Sequence, residues 1–168
     1  MKLRYYMITM AGIFLFSQAS ASTLKNKTFD NPDLLSFGVG IFNIIKDPTH
    51  VLFQFEYKRT FSNFKKARPI FGAFTTEQLS TYFYTGVGYD IFLYKSIVFT
   101  PSFCAGIYFP GWGKKLHFPL EYRSSAELAY VLKNKSRIGA QFYHISNASI
   151  GKKNPGVEAL VVSYSIAL

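Results

Sequence analysis

Cysteine and charged residues are both scarce in this chain of 168 residues. The single cysteine, Cys104, excludes an intramolecular disulfide framework and a zinc site built on cysteines. Charged residues make up only 17% of the chain, whereas disordered chains are rich in charge and poor in aromatic residues. The aromatic fraction is 18%, with 18 Phe and 12 Tyr, so the composition indicates one folded domain.

Long apolar runs are also few, and the one near the N-terminus is short. Residues 7–16 are apolar, basic residues precede them, and small residues follow as far as Ala21. This order predicts a secretory signal peptide over residues 1–21 and a single domain over residues 22–168. An N-terminal membrane anchor is the alternative, but a spanning helix needs about 20 apolar residues.

Acidic residues are outnumbered, with 9 Asp and Glu against 19 Lys and Arg, which gives a net charge of +10. Such a balance favours an anionic partner: a phosphorylated substrate, an anionic membrane or nucleic acid. Because the N-terminus predicts export from the cytoplasm, we expect no nucleic-acid partner.

Segments with helical periodicity are rare, and short segments with a period of two take their place. They are rich in Phe, Tyr, Val and Ile and are separated by Gly, Pro, Asn and Lys, which is typical of β-strands. Eight strands are predicted, at or near residues 36–44, 51–58, 70–75, 81–92, 98–108, 120–132, 137–147 and 157–168.

Eight strands fit either a soluble barrel with an apolar interior or a membrane barrel with an apolar exterior. The segment 51–58 distinguishes them, because one face is Val, Phe, Phe and Tyr while the other carries Gln54, Glu56 and Lys58. Charges of both signs on one face are typical of a paired network inside a lumen. The pattern therefore predicts an all-β fold, an eight-stranded antiparallel transmembrane β-barrel, with a soluble barrel as the alternative.

Three acid–base residues fall on the apolar faces of the last two strands. His144 and Ser146 share one face, and a hairpin centred near Gly151 places Glu158 opposite His144. Ser146 could then act as a nucleophile, His144 as general base and acid, and Glu158 as the group that orients the imidazole. Ionisable groups against lipid are costly and usually functional. The strand pattern alone leaves a second interpretation open, in which all three are polar residues at the membrane rim.

The segments around these residues form specific motifs. They are Leu-Glu-Tyr-Arg-Ser at 120–124, Glu-Leu at 127–128, Ser-Arg-Ile-Gly at 136–139, His-Ile-Ser-Asn-Ala at 144–148, Asn-Pro-Gly at 154–156, Glu158 and Tyr-Ser-Ile at 164–166. In these motifs the sequence resembles the outer-membrane lipid A 3-O-deacylases of the PagL type, or acyloxyacyl hydrolases. The similarity is densest over about the last 50 residues, with weaker support from residues 86–90.

This resemblance implies a serine esterase in the outer membrane of a Gram-negative bacterium. It implies the triad Ser146, His144 and Glu158, with Asn154 and Asn147 positioning or stabilising the oxyanion. The implied reaction removes an ester-linked acyl chain, at the 3 position, from the lipid A of lipopolysaccharide. No metal or organic cofactor is implied, and formation of a homodimer is left open.

Two pairs of lysines lie in predicted turns at one end of the barrel. Lys152 and Lys153 lie between strands seven and eight, and Lys114 and Lys115 between strands five and six. If both termini are periplasmic, these turns are extracellular, near the phosphates of lipid A, which clustered lysines would attract. Simple solvated charge is the alternative. The long basic connection 58–68 is periplasmic by the same count, where turns are usually short.

Two other functions are compatible with the strand pattern. One is a small outer-membrane barrel with a structural or adhesive role and no catalytic activity. The other is a secreted soluble barrel that binds lipid. The first would tolerate replacement of Ser146, His144 and Glu158, and the second would be water-soluble without detergent.

Overall fold

The computed structural model describes residues 31–61 and 66–168, so the predicted signal peptide, residues 1–21, lies outside the described part. None of the described residues forms a helix that is long and apolar enough to cross a membrane. Their strands are β1 (Leu34–Phe42), β2 (His50–Lys58), β3 (Ala67–Thr76), β4 (Thr81–Tyr89), β5 (Ile91–Tyr94), β6 (Ile97–Phe109), β7 (Leu120–Val131), β8 (Arg137–Ser146) and β9 (Val157–Ala167).

The strands form one closed antiparallel sheet. Consecutive strands pair from β1 to β4 and from β5 to β9, β1 also pairs with β9, and β4 pairs with β6, so the sheet closes on itself. β5 continues β4 after an interruption at Asp90, and both parts pair with β6. The two parts count as one strand around the circumference, so the predicted eight-stranded antiparallel barrel is confirmed.

Apolar side chains point outward and polar side chains point into the lumen, as the alternation predicts. On β2, Val51, Phe53 and Phe55 are 41–53% exposed, while Gln54 and Glu56 are at most 5% exposed. An outer surface made of large apolar residues is suited to a bilayer and not to water. This arrangement favours the membrane barrel over the soluble one.

The middle of the lumen holds a network of ion pairs. Glu56 Oε1 accepts hydrogen bonds from Arg123 Nη2 at 2.7 Å and from Tyr84 Oη at 2.9 Å. Glu56 Oε2 lies 3.2 Å from Lys58 Nζ, which also donates to Glu127. All five side chains are at most 5% exposed, so each charge depends on its partners for the stabilisation that water would otherwise supply.

The end of the lumen near the chain termini holds a second charged cluster, centred on Asp90. Asp90 Oδ2 accepts hydrogen bonds from Arg68 Nε at 2.9 Å and Arg137 Nη2 at 2.8 Å, and its Oδ1 accepts one from Thr100 Oγ1 at 2.8 Å. This is where the fourth strand is interrupted. Lys58 and Arg68, the two ends of the long basic connection, are lumen residues at the end of the barrel where β1 begins.

The opposite end of the lumen is filled by aromatic and aliphatic side chains, whereas the charged face of segment 51–58 predicts polar ones. The rings of Phe42 and Phe74 lie 5.5 Å apart, and those of Tyr82 and Tyr84 stack at 5.1 Å. A Cβ atom at Gly72 would lie 2.6 Å from the ring of Tyr84, so glycine at this position makes room for the ring. A barrel of eight strands is just wide enough for side chains to fill it, and here rings do so.

Four loops meet at this aromatic end, and the loop 110–119 between β6 and β7 is hydrogen-bonded to the other three. Trp112 N donates to Gln78 O of the β3–β4 turn at 2.9 Å. Lys114 Nζ donates to Asn43 Oδ1 of the β1–β2 turn at 2.6 Å, and Asn147 Nδ2 of the β8–β9 loop donates to Leu116 O at 3.4 Å. These contacts hold the loop end of the barrel together.

Replacing Glu56 by Gln should destabilise the barrel because it leaves the buried Lys58 and Arg123 short of negative charge. Loss of one partner from a buried ion pair costs about 3–5 kcal/mol of unfolding free energy. The measurement is urea-induced unfolding in detergent, and the folded fraction is read from the heat-dependent gel shift of closed barrels. Phe55→Leu, on the outer face next to Glu56, is the control, and equal midpoints for both variants would contradict a stabilising network.

Candidate active site

His144 and Glu158 form a hydrogen-bonded pair on the outer face of the barrel. They are direct partners in the antiparallel pairing of β8 and β9, as the hairpin centred near Gly151 predicts. The Nδ1–H of His144 donates to Glu158 Oε1 at 3.0 Å. The side chains are 42% and 20% exposed, so both lie on the surface that carries the apolar belt. The predicted juxtaposition of these two residues is confirmed.

The strands fix this pair from the inside of the barrel. Tyr143 and Ile145, on either side of His144, point into the lumen and are fully buried. Val157 and Ala159, on either side of Glu158, are also fully buried. Packing of these four inward side chains sets the position of the backbone from which the outward acid–base pair projects.

Gly156 supports the other edge of the imidazole. The register of β8 and β9 ends at Ile145 and Val157, so Gly156 lies just beyond it, across from Ser146. Its φ is +62°, and a Cβ there would lie 2.8 Å from His144 Cε1. Only glycine is free of both strain and collision at this position, so Gly156 leaves the imidazole of His144 the space that it occupies.

Ser146 lies at the end of β8 on the same face as His144 and opens into a groove. The groove has a volume of about 270 Å³. Its lining is mostly apolar and comprises Phe103, Tyr122, Ser124, Ser146, Ala148 and Ile150. The rings of Phe103 and Tyr122 stack with centroids 5.8 Å apart and form one wall. A hydroxyl at the side of an apolar groove is suited to attack an ester whose acyl chain occupies that groove.

Asn147 and Asn154 shape the loop next to Ser146 in different ways. Asn147 is fully buried, its Nδ2 donates to Lys153 O at 2.8 Å, and its Oδ1 accepts from Ser149 N at 3.0 Å. Asn154 is exposed, and its Oδ1 accepts from Asn147 N at 3.1 Å. The side chain of Asn147 is thus engaged in holding the loop, while the amide group of Asn154 is fixed by its oxygen at the surface.

The four predicted lysines lie on the two loops that flank this site. Lys115, Lys152 and Lys153 are exposed, whereas Lys114 is half-buried with its ammonium bound to Asn43. Both loops project from the end of the barrel where the site lies, opposite the chain termini. Exposed lysines there give the rim of the site a positive charge.

Comparison with known proteins identifies the family. The profile of the family described as lipid A 3-O-deacylase (PagL) matches residues 49–167. The chain belongs to the PagL family. It is therefore an ester hydrolase of the outer membrane, and the family's reaction is deacylation of lipid A. The predictions of family, fold class, enzyme class and location in the outer membrane are confirmed.

The solved structure of an outer membrane enzyme, PagL, has the same fold. The crystal structure of the outer membrane enzyme PagL is 15% identical in sequence, with a TM-score of 0.60, and covers 80% of this chain and 99% of its own. The structure of the outer membrane protein Ail from Yersinia pestis in a phospholipid nanodisc is 14% identical, with a TM-score of 0.48, and covers 80% and 99%. No curated protein sequence matches the chain.

Sequence reasoning missed three parts of this PagL-family site. These are the space that Gly156 leaves for the imidazole, the groove beside Ser146, and the link between Asn43 and Lys114. Gly156 belongs to the Asn-Pro-Gly motif, but its role depends on a positive φ that the motif does not specify. The groove joins residues of β6, β7 and the β8–β9 loop, and no local pattern indicates it.

Gly156→Ala should lower deacylation by about 100-fold while the barrel still folds, because displacement of a catalytic group by about 1 Å can cost that much. The added methyl group pushes on His144 Cε1 and strains the turn. Activity is measured as loss of an acyl chain from lipid A by mass spectrometry. The neighbouring exposed Pro155→Ala is the control, and wild-type activity in folded Gly156→Ala would show that the imidazole does not depend on this contact.

Proposed function

We propose that this chain hydrolyses the 3-O-linked acyl ester of lipid A by a Ser146–His144–Glu158 triad on the outer face of the barrel. One observation carries the proposal: His144 Nδ1 lies 3.0 Å from Glu158 Oε1 on adjacent strands, with Ser146 next along the same face. Ionisable side chains on a lipid-facing surface are costly to desolvate and usually have a function. The family's reaction supplies that function.

In the proposed reaction, Ser146 Oγ attacks the ester carbonyl carbon and transfers its proton to His144 Nε2. Glu158 accepts the hydrogen bond from Nδ1, which keeps Nε2 free as the base and stabilises the imidazolium. The imidazolium then protonates the departing sugar 3-hydroxyl, leaving the acyl group on Ser146. A water molecule, deprotonated by His144, hydrolyses this acyl-enzyme and restores the serine.

The negative charge on the carbonyl oxygen needs hydrogen-bond donors nearby. Asn154 is suited to this role because its Oδ1 is held by Asn147 N, which turns the Nδ2 group away from that contact. Asn147 acts indirectly in this proposal, since its own amide group is occupied by Lys153 O and Ser149 N. It fixes the backbone on which Asn154 and Ser146 are presented.

In this proposal, the groove binds the apolar part of the substrate and the lysines attract its charged part. The apolar wall formed by Phe103 and Tyr122 accepts the acyl chain beside Ser146. The exposed ammonium groups of Lys115, Lys152 and Lys153 attract the phosphates of lipid A at the rim. With the chain termini in the periplasm, this end of the barrel faces the outer leaflet, where lipopolysaccharide lies.

Removing the triad residues one at a time should separate their roles. Ser146→Ala should lower turnover at least about 10⁴-fold, and His144→Asn nearly as much, because nucleophile and base act as one unit. Glu158→Ala should cost less, since its role is to orient and stabilise the imidazole. Mass spectrometry of lipid A from cells that express each variant measures the activity.

The control for this series is Ser149→Ala, an exposed serine three residues beyond the proposed nucleophile. Folding of every variant is checked by the gel shift on heating. All three proposed triad residues point outward, so each variant is expected to fold. A folded Ser146→Ala barrel with wild-type deacylation would refute the serine mechanism.

Replacing Lys152 and Lys153 together by Met should raise KM several-fold at low ionic strength and leave kcat nearly unchanged. The two exposed charges attract the substrate and take no part in the chemical step. The difference from wild type should shrink as salt is added, because exposed charges are screened over about 10 Å at 0.1 M salt. The double variant Lys95→Met and Lys133→Met, at the other end of the barrel, removes the same charge. If the KM at low salt equals that of the wild type, Lys152 and Lys153 do not attract the substrate and contribute only to solubility.

A further inference from the structure

We propose that Ser124 is a specificity-determining residue of the groove: its hydroxyl binds a hydroxyl group that the acyl chain carries close to the ester carbonyl. The inference rests on the proposed function, because it takes Ser146 as the nucleophile and the groove as the site of the acyl chain. It deepens that function by naming a class of acyl chain, one with a hydroxyl substituent near the ester, which the enzyme prefers to an unsubstituted chain.

Ser124 lies directly beside the proposed triad. On β7 it is the partner of His144 on β8, and His144 is the partner of Glu158 on β9, so the three residues lie side by side at one height. Ser124 is exposed on the outer face and lines the same groove as Ser146. Ser146 pairs instead with Tyr122, two residues nearer the loop end of β7. Two serine hydroxyls on neighbouring strands therefore open into one groove.

The hydroxyl of Ser124 differs from most hydroxyls on the outward faces of the strands. Thr75 on β3 and Thr81 on β4 hydrogen-bond each other at 3.2 Å, and Thr85 Oγ1 donates to a main-chain oxygen of β3 at 3.1 Å. Among the strand residues that the structure describes, Ser124 and Ser146 are the outward serines or threonines whose hydroxyls bond to no other described residue. A hydroxyl that faces lipid without a partner costs free energy. In the proposal, the substrate supplies the partner of both.

The height of Ser124 on the barrel decides which part of the substrate it meets. It lies two residues farther from the loop end than Tyr122, which is about 7 Å along the strand toward the apolar belt. The loops that carry the rim lysines lie beyond Ser146 in the other direction. In the proposed binding mode the sugar and phosphates stay at the rim, and the acyl chain runs into the groove past Ser124. A polar atom that meets Ser124 therefore belongs to the acyl chain and not to the sugar.

The register of β7 and β8 limits how far along the chain that polar atom lies. Ser124 and Ser146 are diagonal neighbours, whose Cβ atoms in antiparallel sheets are about 7 Å apart. An attacking serine oxygen approaches the ester carbon to about 3 Å. A hydrogen bond between two hydroxyls is about 2.8 Å long. A hydroxyl on the second carbon beyond the carbonyl spans what remains of the diagonal, whereas one far along the chain lies beyond Ser124.

The rest of the groove supports this assignment through its apolar character. Phe103 is the partner of Ser124 on β6, and its ring stacks on that of Tyr122 at 5.8 Å. Sites for small ligands combine an apolar lining with a few placed polar groups, which fix the orientation of the ligand. An acyl hydroxyl that enters the groove loses contact with water and gains Ser124 Oγ as a partner. The acyl chain is then held with its ester carbonyl next to Ser146.

The test is a competition between two synthetic substrates in one mixed micelle, with the chain folded in detergent. Both are glucosamine 1-phosphates with one 3-O-linked chain, which is 3-hydroxytetradecanoyl in the first and tetradecanoyl in the second. Mass spectrometry of the products gives the ratio of the two kcat/KM values, and a loss of rate that is common to both cancels. The variants are Ser124→Ala and Ser124→Thr, which keeps the hydroxyl. Thr85→Val, which removes an outward hydroxyl outside the groove, is the matched control.

The wild type should prefer the hydroxylated ester by about 3- to 10-fold, which is the contribution of one hydrogen bond between neutral groups. Ser124→Ala should bring the ratio close to one. Ser124→Thr and Thr85→Val should both keep the wild-type preference. A purely structural role of Ser124 would change the amount of folded protein, or both rates alike, and would leave the ratio in place.

Equal rates for the two esters in the wild type would overturn the inference and leave the proposed function intact, as would a wild-type preference in Ser124→Ala. A folded wild type that cleaves neither the esters nor lipid A would refute the proposed function and this inference with it. Cleavage that persists in Ser146→Ala and is lost in Ser124→Ala would make Ser124 the nucleophile, which would also overturn the inference.

Discussion

Along each strand of this barrel, side chains alternate between the lipid-facing surface and the packed lumen, and the placement of the polar groups on the strands depends on that alternation. Inside, a charge finds its partners across the lumen, as Glu56 does with Arg123 and Lys58. Outside, the partner has to lie on the next strand at the same height, as Glu158 does for His144. A register shift of one residue between β8 and β9 would send one member of that pair into the lumen. The proposed catalysis therefore depends on register.

Hydrogen bonds among the loops at one end of the barrel stabilise that register. Asn147 closes the β8–β9 loop through Lys153 O and Ser149 N, and Asn43 joins the β1–β2 turn to Glu158 O. Aromatic packing beneath them fills the lumen, with Tyr143 directly next to His144. A catalytic group on a rigid strand with a packed interior behind it holds its geometry better than one on a free loop. The side chains that line the lumen thus contribute to a site on the opposite surface of the sheet.

The local part of this structure could be predicted from the sequence. Strand positions, the outward face of Phe53 and the opposition of His144 and Glu158 follow from a period of two residues and one hairpin centre. Contacts between distant segments could not. Lys114 and Asn43 are 71 residues apart, and nothing in either segment specifies the other. The aromatic filling of the lumen was missed for a similar reason, since the room for Tyr84 is created by Gly72 on the neighbouring strand.

A site on the outside of the barrel would let the proposed reaction take place without moving the lipid substrate into water. Lipid A would not have to leave the bilayer, because its acyl chain could move sideways from lipid into the groove beside Ser146. The phosphates would stay among the lysines at the rim, in contact with water, while the acyl chain stays in lipid. These two preferences would set the height of the ester relative to the membrane. Under this constraint the barrel needs little specific recognition of the sugar to bring one ester to the serine. In the proposed reaction, the position of Ser146 at the end of β8, where the apolar belt and the charged loops meet, would then be the main determinant of which ester is cleaved.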